Sequence, residues 1–183
     1  MIELPALAAR VRDELAQAVS TRGHPWRTAT LATVTPDGLP DARTVVLREW
    51  DAQSDELLFF TDARSPKVRH LQHQPQAALV LWHPGLGWQL RMTVRTEVVF
   101  DGLAVTSRWA RLKMSPAAQD YLSPLAPGED LQDASPAGAS RPHFAVVHAR
   151  VLTMDWLSLS QSADEGHRRA RLSPAECAAW LQP

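Results

Sequence analysis

Trp88-Gln-Leu-Arg-Met-Thr-Val-Arg-Thr-Glu-Val-Val-Phe100 decides the fold. Leu90, Met92, Val94 and Val98 alternate with Gln89, Arg91, Thr93, Arg95 and Glu97, which predicts a β-strand with one apolar and one polar face. Such a strand belongs in an antiparallel sheet that packs on a core from one side. Upstream, Ala77-Ala-Leu-Val-Leu-Trp82 is a continuous apolar strand, and Glu56-Leu-Leu-Phe-Phe-Thr61 is another. Between them, Ser65-Pro66-Lys67 reads as a helix start, with a capping hydroxyl, proline at the first helical position, Val68 and Leu71 on one side and Pro75 as the stop. Thr28 to Thr35 and Arg43 to Arg48 are β-branched runs joined through Pro36-Asp37-Gly38, a hairpin signal. Residues 3–19 carry Leu4, Leu7, Ala8, Val11, Leu15 and Val19 on one helical stripe, ended by Gly23 and Pro25.

Toward the C-terminus, residues 103–122 read as helix broken near Ser115-Pro116, and residues 124–142 as a long Pro-, Gly-, Ala- and Ser-rich loop. His143 to Thr153, Asp155 to Leu159 and His167 to Leu172 are strand-like, and Ser173-Pro174-Ala-Glu176 predicts a short terminal helix. Six or more strands joined by short turns, with few helices, point to a mainly β (α+β) antiparallel barrel with peripheral helices. A doubly wound sheet would need helices between successive strands, and there is no GxGxxG turn.

The chain has 183 residues, 45% of them apolar and 21% charged, which predicts one domain able to build a core without disulfides or a structural metal. Its one cysteine, Cys177, cannot close an intrachain bridge and predicts a packing role and a cytoplasmic location. The N-terminal stretch interleaves acids with apolar residues, unlike a secretory leader, and no apolar run reaches membrane-spanning length. A formal charge of -1 argues against nucleic-acid and membrane partners, which need a basic excess.

Charge is uneven, however. Residues 63–96 hold no acid while carrying Arg64, Lys67, Arg69, Arg91 and Arg95, a compact anion site if the fold gathers them. A helix N-terminus, the Ser65 hydroxyl, Lys67 and Arg64 together would suit a phosphate monoester, although a capped surface helix with solvated cations has the same local pattern. Gln89 and Arg91 project to one side and could read a polar heterocycle, or that face could simply be wet. Arg43 and Arg48 project to opposite faces of their strand, while His167, Arg169 and Arg171 share one face of theirs. His70 and His73, with His83 nearby, lack HExxH or a carboxylate partner, so no metal site is expected; there is no GxSxG nucleophile motif either.

Taken in order, Arg43-Thr-Val-Val-Leu-Arg48, Phe60-Thr61, Ser65-Pro66-Lys67, Gln74 to Trp82 and Gln89-Leu90-Arg91 resemble the FMN-binding core of the pyridoxamine 5'-phosphate oxidase family. The resemblance covers residues 25–100 and extends more loosely to Trp156, His167-Arg168-Arg169 and Trp180. It implies a single FMN-binding split-barrel domain over residues 1–183, paired as a homodimer with FMN between subunits. By position Arg43, Val45, Val46 and Arg48 would line the flavin, Thr61, Ser65 and Lys67 would reach its phosphate, and Gln89 would bond the ring system. Trp156 and Arg169 would come from across the interface.

Three departures from that family stand out. A lysine is usual where Arg48 stands and an arginine where Pro66 stands; the substrate-phosphate clamp is replaced by Trp109, Lys113 and Ala117 or Ala118; and Glu165 replaces an arginine near His167. The chain therefore looks closer to the oxidase-related branch than to the vitamin B6 enzyme. It implies an FMN-dependent oxidoreductase, an oxidase or reductase, acting on a small organic substrate near Trp109, Lys113 and His167, with no dedicated catalytic base identified. True pyridoxamine 5'-phosphate oxidation is one alternative. A non-catalytic flavin or haem carrier or sensor is another, with His83 or His143 as axial candidates for haem.

Overall fold

A computed structural model describes residues 3–133, 143–160, 166–172 and 178–183. The alternation at its centre is realised as β5, Trp88–Val99, where Trp88, Leu90, Met92, Val94 and Thr96 are buried in turn. Its neighbours are β4 (Gln76–His83) and β6 (Phe144–Ser158), the latter one continuous strand through the stretches His143 to Thr153 and Asp155 to Leu159. With β1 (Thr28–Val34), β2 (Pro40–Asp51) and β3 (Glu56–Asp62), the order runs β3-β2-β1-β4-β5-β6, and β3 pairs with β6 to close an antiparallel six-stranded barrel. This is the expected split-barrel class. Two further strands, β7 (Arg168–Arg171) and β8 (Ala179–Leu181), extend the sheet from β6.

The barrel interior follows the period-two pattern: Ala29 and Leu31, Val45 and Leu47, Leu57 and Phe59, Leu79 and Leu81, Leu90 to Val94, and Val147 to Val151 form one core. Helix α1 (Leu4–Ser20) adds Leu7, Val11, Leu15 and Ala18 to it, and α2 (Pro66–His73) adds Leu71. Arg12 fixes α1 to the β2–β3 turn through Asp55, at 3.0 and 3.2 Å. A second, smaller core lies on the outer face of β3 and β6. There Leu58, Phe144 and Val146 meet Val105 and Leu112 of α3 (Leu103–Leu112) and Tyr121 of the 3-10 turn Pro116–Tyr121. α3 ends at Leu112 and the next helical turn opens with Pro116 at its first position, so the break spans residues 113–115, beside the expected Ser115-Pro116.

Three expectations are corrected. Ser65 makes no side-chain cap to α2; its hydroxyl instead accepts Lys67 Nζ at 2.5 Å, because the ammonium is buried beside it. The five cations of residues 63–96 do not gather: Arg91 stands exposed on β5 against Asp155, and Arg95 stands exposed opposite Gln76 and Arg150. The chain past residue 178 is strand rather than helix, since Ala179–Leu181 pairs with Arg169–Arg171, and Trp180 lies 4.5 Å from the Arg168 guanidinium and 6.3 Å from Trp156. The expected start of that terminal helix, Cys177, Glu165 and the second half of the long loop lie outside the described residues. Residues 124–133 are loop with one 3-10 turn.

Candidate functional site: a groove on β2 and β3 beside the start of α2

The β3–α2 junction places Lys67 in the first turn of α2, folded back over the strand that precedes it. Its ammonium donates to Thr61 Oγ1 at 3.1 Å and to Ser65 Oγ, and both hydroxyl residues are almost wholly buried. Burial, and after it the charge of Arg43, holds this ammonium below its ordinary pKa against the opposing pull of Asp62 and Asp41. A half-buried cation satisfied only by neutral oxygens attracts an anion.

Lys67 opens onto a groove of about 240 Å³. Val45, Val46 and Arg48 of β2 form one wall, Phe60, Thr61 and Asp62 of β3 another, and Asp120, Tyr121 and Pro127 arch over it. Asp62 would oppose an anion, but Arg64 neutralises it through bonds at 2.8 and 3.1 Å. The same guanidinium donates to the carbonyls of Ser123, Pro124 and Leu125, so Arg64 braces the loop and is not free to bind phosphate, contrary to the sequence expectation.

A β-bulge between Leu47 and Glu49 sets the other end. Before it, Val45 and Leu47 face the core; at it, Arg48 and Glu49 both turn to the outer side and line a second cavity. Arg48 lies 5.6 Å from the Phe60 ring centroid, and its Nε is buried with no partner. Burial raises the Tyr121 phenol above its ordinary pKa, with Arg48 opposing that shift by charge and hydrogen bonding.

Other expected residues lie elsewhere in the subunit. Arg43 faces the opposite way from Arg48, donating to Leu31 O at 3.2 Å, to Thr33 Oγ1 at 2.7 Å and to Asp41. Beneath it His70, 4% exposed, holds Thr33 Oγ1 at 3.1 Å through Nδ1. Burial first, then Arg43, keeps this imidazole below its ordinary pKa despite Asp41. Gln89 is half-buried between Trp82 and Leu157 in the ladder, outside the groove. Trp156 is in its own subunit's core, packed edge-on against Trp88 at 5.2 Å. Arg169 is engaged bidentately by Asp155. Burial alone would raise the Asp155 pKa, but its bonds to Arg169 and Arg91 outweigh that and hold it low.

The expected substrate residues are likewise dispersed. Trp109 packs on Tyr121 and Phe144, Lys113 is exposed at the end of α3, Ala117 is half-buried and Ala118 buried. His167 is exposed and accepts the Ser160 amide at 3.1 Å. His83 Nδ1 accepts the Leu86 amide at 3.1 Å, and His143 exchanges backbone bonds with Tyr121 and Ala63.

Sequence reasoning missed Asp62, Asp120, Tyr121 and Pro127 as groove lining, since the last three reach it only through the long connection. It also missed that Glu14, His24 and His83 converge. Both imidazoles accept a backbone N–H at Nδ1, Trp26 N at His24 and Leu86 N at His83, which leaves the proton on Nε2. His24 then donates to Glu14 at 3.1 Å, a clamp between α1 and the turn Pro25–Arg27.

Comparison with known proteins fits this frame. Residues 8–100 match the family described as pyridoxamine 5'-phosphate oxidase, FMN-binding domain, and the chain belongs to that family. A pyridoxine/pyridoxamine 5'-phosphate oxidase from Nostoc sp. is 47% identical over 72 residues, which is 39% of this chain and 33% of the relative. One from Chromohalobacter salexigens is 47% identical over 68 residues, 37% of this chain and 31% of the relative. The chain thus spans about a third of the length of the curated relatives it matches. Among solved structures, a pyridoxamine 5'-phosphate oxidase-related FMN-binding protein from Nostoc punctiforme superposes with a TM-score of 0.71 at 25% identity, covering 98% of this chain and 95% of that one. PhzG from Burkholderia lata shares the fold at a TM-score of 0.73 and 21% identity, covering 96% of this chain and 91% of that one. No helix among the described residues is long and apolar enough to cross a membrane.

Proposed function

We propose that this chain is an FMN-dependent oxidoreductase acting on a small organic substrate, with the flavin phosphate at Lys67 and the ring system toward Arg48. The observation that carries the reading is the buried Lys67–Thr61–Ser65 cluster at the mouth of the groove. The Lys67 ammonium and the Ser65 hydroxyl match a phosphate monoester, while Thr61, whose proton goes to Asp62 O at 3.3 Å, orients the ammonium; an anion would return to Lys67 the charge stabilisation that burial removes. Arg43, whose charge already reaches Lys67, adds to the field from the barrel side. Val45 and Val46 offer an apolar edge for the flavin, and Arg48 places a permanent cation where negative charge develops on reduction. Bound flavin supplies the hydride and electron chemistry; the protein's part is to hold and polarise it.

Within one subunit Gln89, Trp156, Arg169 and His167 lie outside the groove, so any contact they make with FMN would come from a second copy. Homodimerisation is therefore part of the proposal. FMN titrated into the purified protein is expected to quench its fluorescence at a stoichiometry of one per chain. A protein that ignores added FMN would refute the reading.

The second reading is pyridoxamine 5'-phosphate oxidation itself, favoured by the 47% identity over 72 residues to curated enzymes of that activity. Against it, Trp109 is turned into the smaller core, Lys113 stands exposed, and alanines occupy the hydroxyl end of the clamp. Peroxide release from pyridoxine 5'-phosphate by the FMN-loaded protein would move the assignment to this reading. A flavin or haem carrier would bind without turnover.

A further inference from the structure

Beside the groove lies a second cavity of about 330 Å³, and Arg48 and Phe60 line both. Its far wall is one face of α3 and the residues just beyond it, where Arg108, Arg111, Leu112 and Ser115 recur at the i, i+3, i+4, i+7 spacing of a helical stripe. Trp109 and Lys113 are not on this wall.

The charges do not cancel. Arg108 is fully engaged: Nε and Nη2 meet Glu49 Oε1 and Oε2 at 2.8 and 2.6 Å, and Nη1 donates to Ala104 O at 3.0 Å. That leaves Arg48, with its orphaned Nε, and Arg111, whose guanidinium makes no hydrogen bond or ion pair with another described residue. Two guanidinium groups without a counter-charge, Arg48 and the exposed Arg111, therefore share a cavity whose apolar surface is Leu112, 8% exposed, and the Phe60 ring, beside the Glu49–Arg108 pair and Ser115. Such a site favours an anion with an apolar body.

We propose that this cavity receives the reactant, and that the reactant is a small organic carboxylate: its charge meets Arg111 and Arg48, and its apolar part rests on Leu112 and Phe60. The inference rests on the FMN reading above, which puts the flavin ring at the Arg48 wall. A planar carboxylate suits guanidinium forks. A phosphate ester suits the cavity less, because the Ser115 proton is committed to Leu112 O at 2.8 Å and the lining offers no other hydroxyl donor.

Saturation-transfer NMR with benzoate, its uncharged isostere benzamide, and phenyl phosphate, each with and without FMN, tests the assignment. Benzoate is expected to bind roughly tenfold more tightly than benzamide, and Arg111→Gln to erase most of that preference. Equal binding of benzamide, benzoate affinity unchanged in Arg111→Gln, or tighter binding of phenyl phosphate would each overturn it. The FMN-free samples report on the cavity alone, so failure of the flavin reading, seen as absent FMN binding, stays distinguishable from failure of this one.

Discussion

Lys67 concentrates the chemistry at the residue scale because it is a half-buried cation whose side-chain hydrogen-bond partners among the described residues are two hydroxyls. Lys67→Ala is expected to weaken FMN binding by about 1.5 to 3 kcal/mol, the worth of a charge-assisted bond, read by fluorescence titration; unchanged affinity would contradict the phosphate placement. His70 gives the complementary test on stability. Its folded pKa lies below the ordinary 6.5 because of burial and Arg43, so below pH 6.5 the unfolded chain takes up a proton that the folded one resists. Stability is therefore lost as pH falls from 6.5 toward the folded value and levels off beneath it. Urea melts at pH 7 and pH 5 should show a smaller loss for His70→Gln than for the parent chain. Equal losses would mean that the ring is protonated without penalty.

At the scale of elements, the β4–β5 turn is tightly constrained at Gly87. Gly87 has φ +63°, and a Cβ there would meet Leu159 O at 2.7 Å. Gly87→Ala should cost about 1 to 3 kcal/mol from backbone strain and collision together, seen as a lowered Tm in calorimetry; a Tm equal to the parent's would show that the turn can yield. Periodicity made the barrel strands legible, since each buries one face and alternation reports that directly. It did not reveal the bulge at Arg48, which carries no glycine or other marker and yet turns Arg48 and Glu49 to one side. Nor could local pattern show that Arg64 would bind carbonyls some sixty residues away, or that Ala179–Leu181 would pair as a strand after a helix-start motif. Lys67, Thr61 and Ser65 were legible because a strand leading at once into a proline-started helix brings them together locally. The arch of Asp120, Tyr121 and Pro127 was hidden by distance in sequence.

For the molecule as a whole, the outer face of β1, β2 and β4 bears on assembly. Trp82 is 45% exposed there, and with Thr28, Thr30, Thr44 and Val80 it borders a hollow of about 240 Å³ with no charged residue in its lining. An aromatic, charge-poor patch has the composition of an interface centre. Should the parent chain run as the proposed homodimer in sedimentation velocity, Trp82→Asp is expected to run as a monomer with its circular dichroism intact; a variant still dimeric would place the contact elsewhere. A last point concerns β6, which pairs along its length with β5 and also with β3. The segment matching the family, residues 8–100, ends before this strand begins at residue 144. During synthesis, at about 5 to 20 residues per second, a growing chain therefore carries an unsealed cylinder with two sticky rims for several seconds. In that interval the edges of β3 and β5 that β6 will cover have no partner from their own chain.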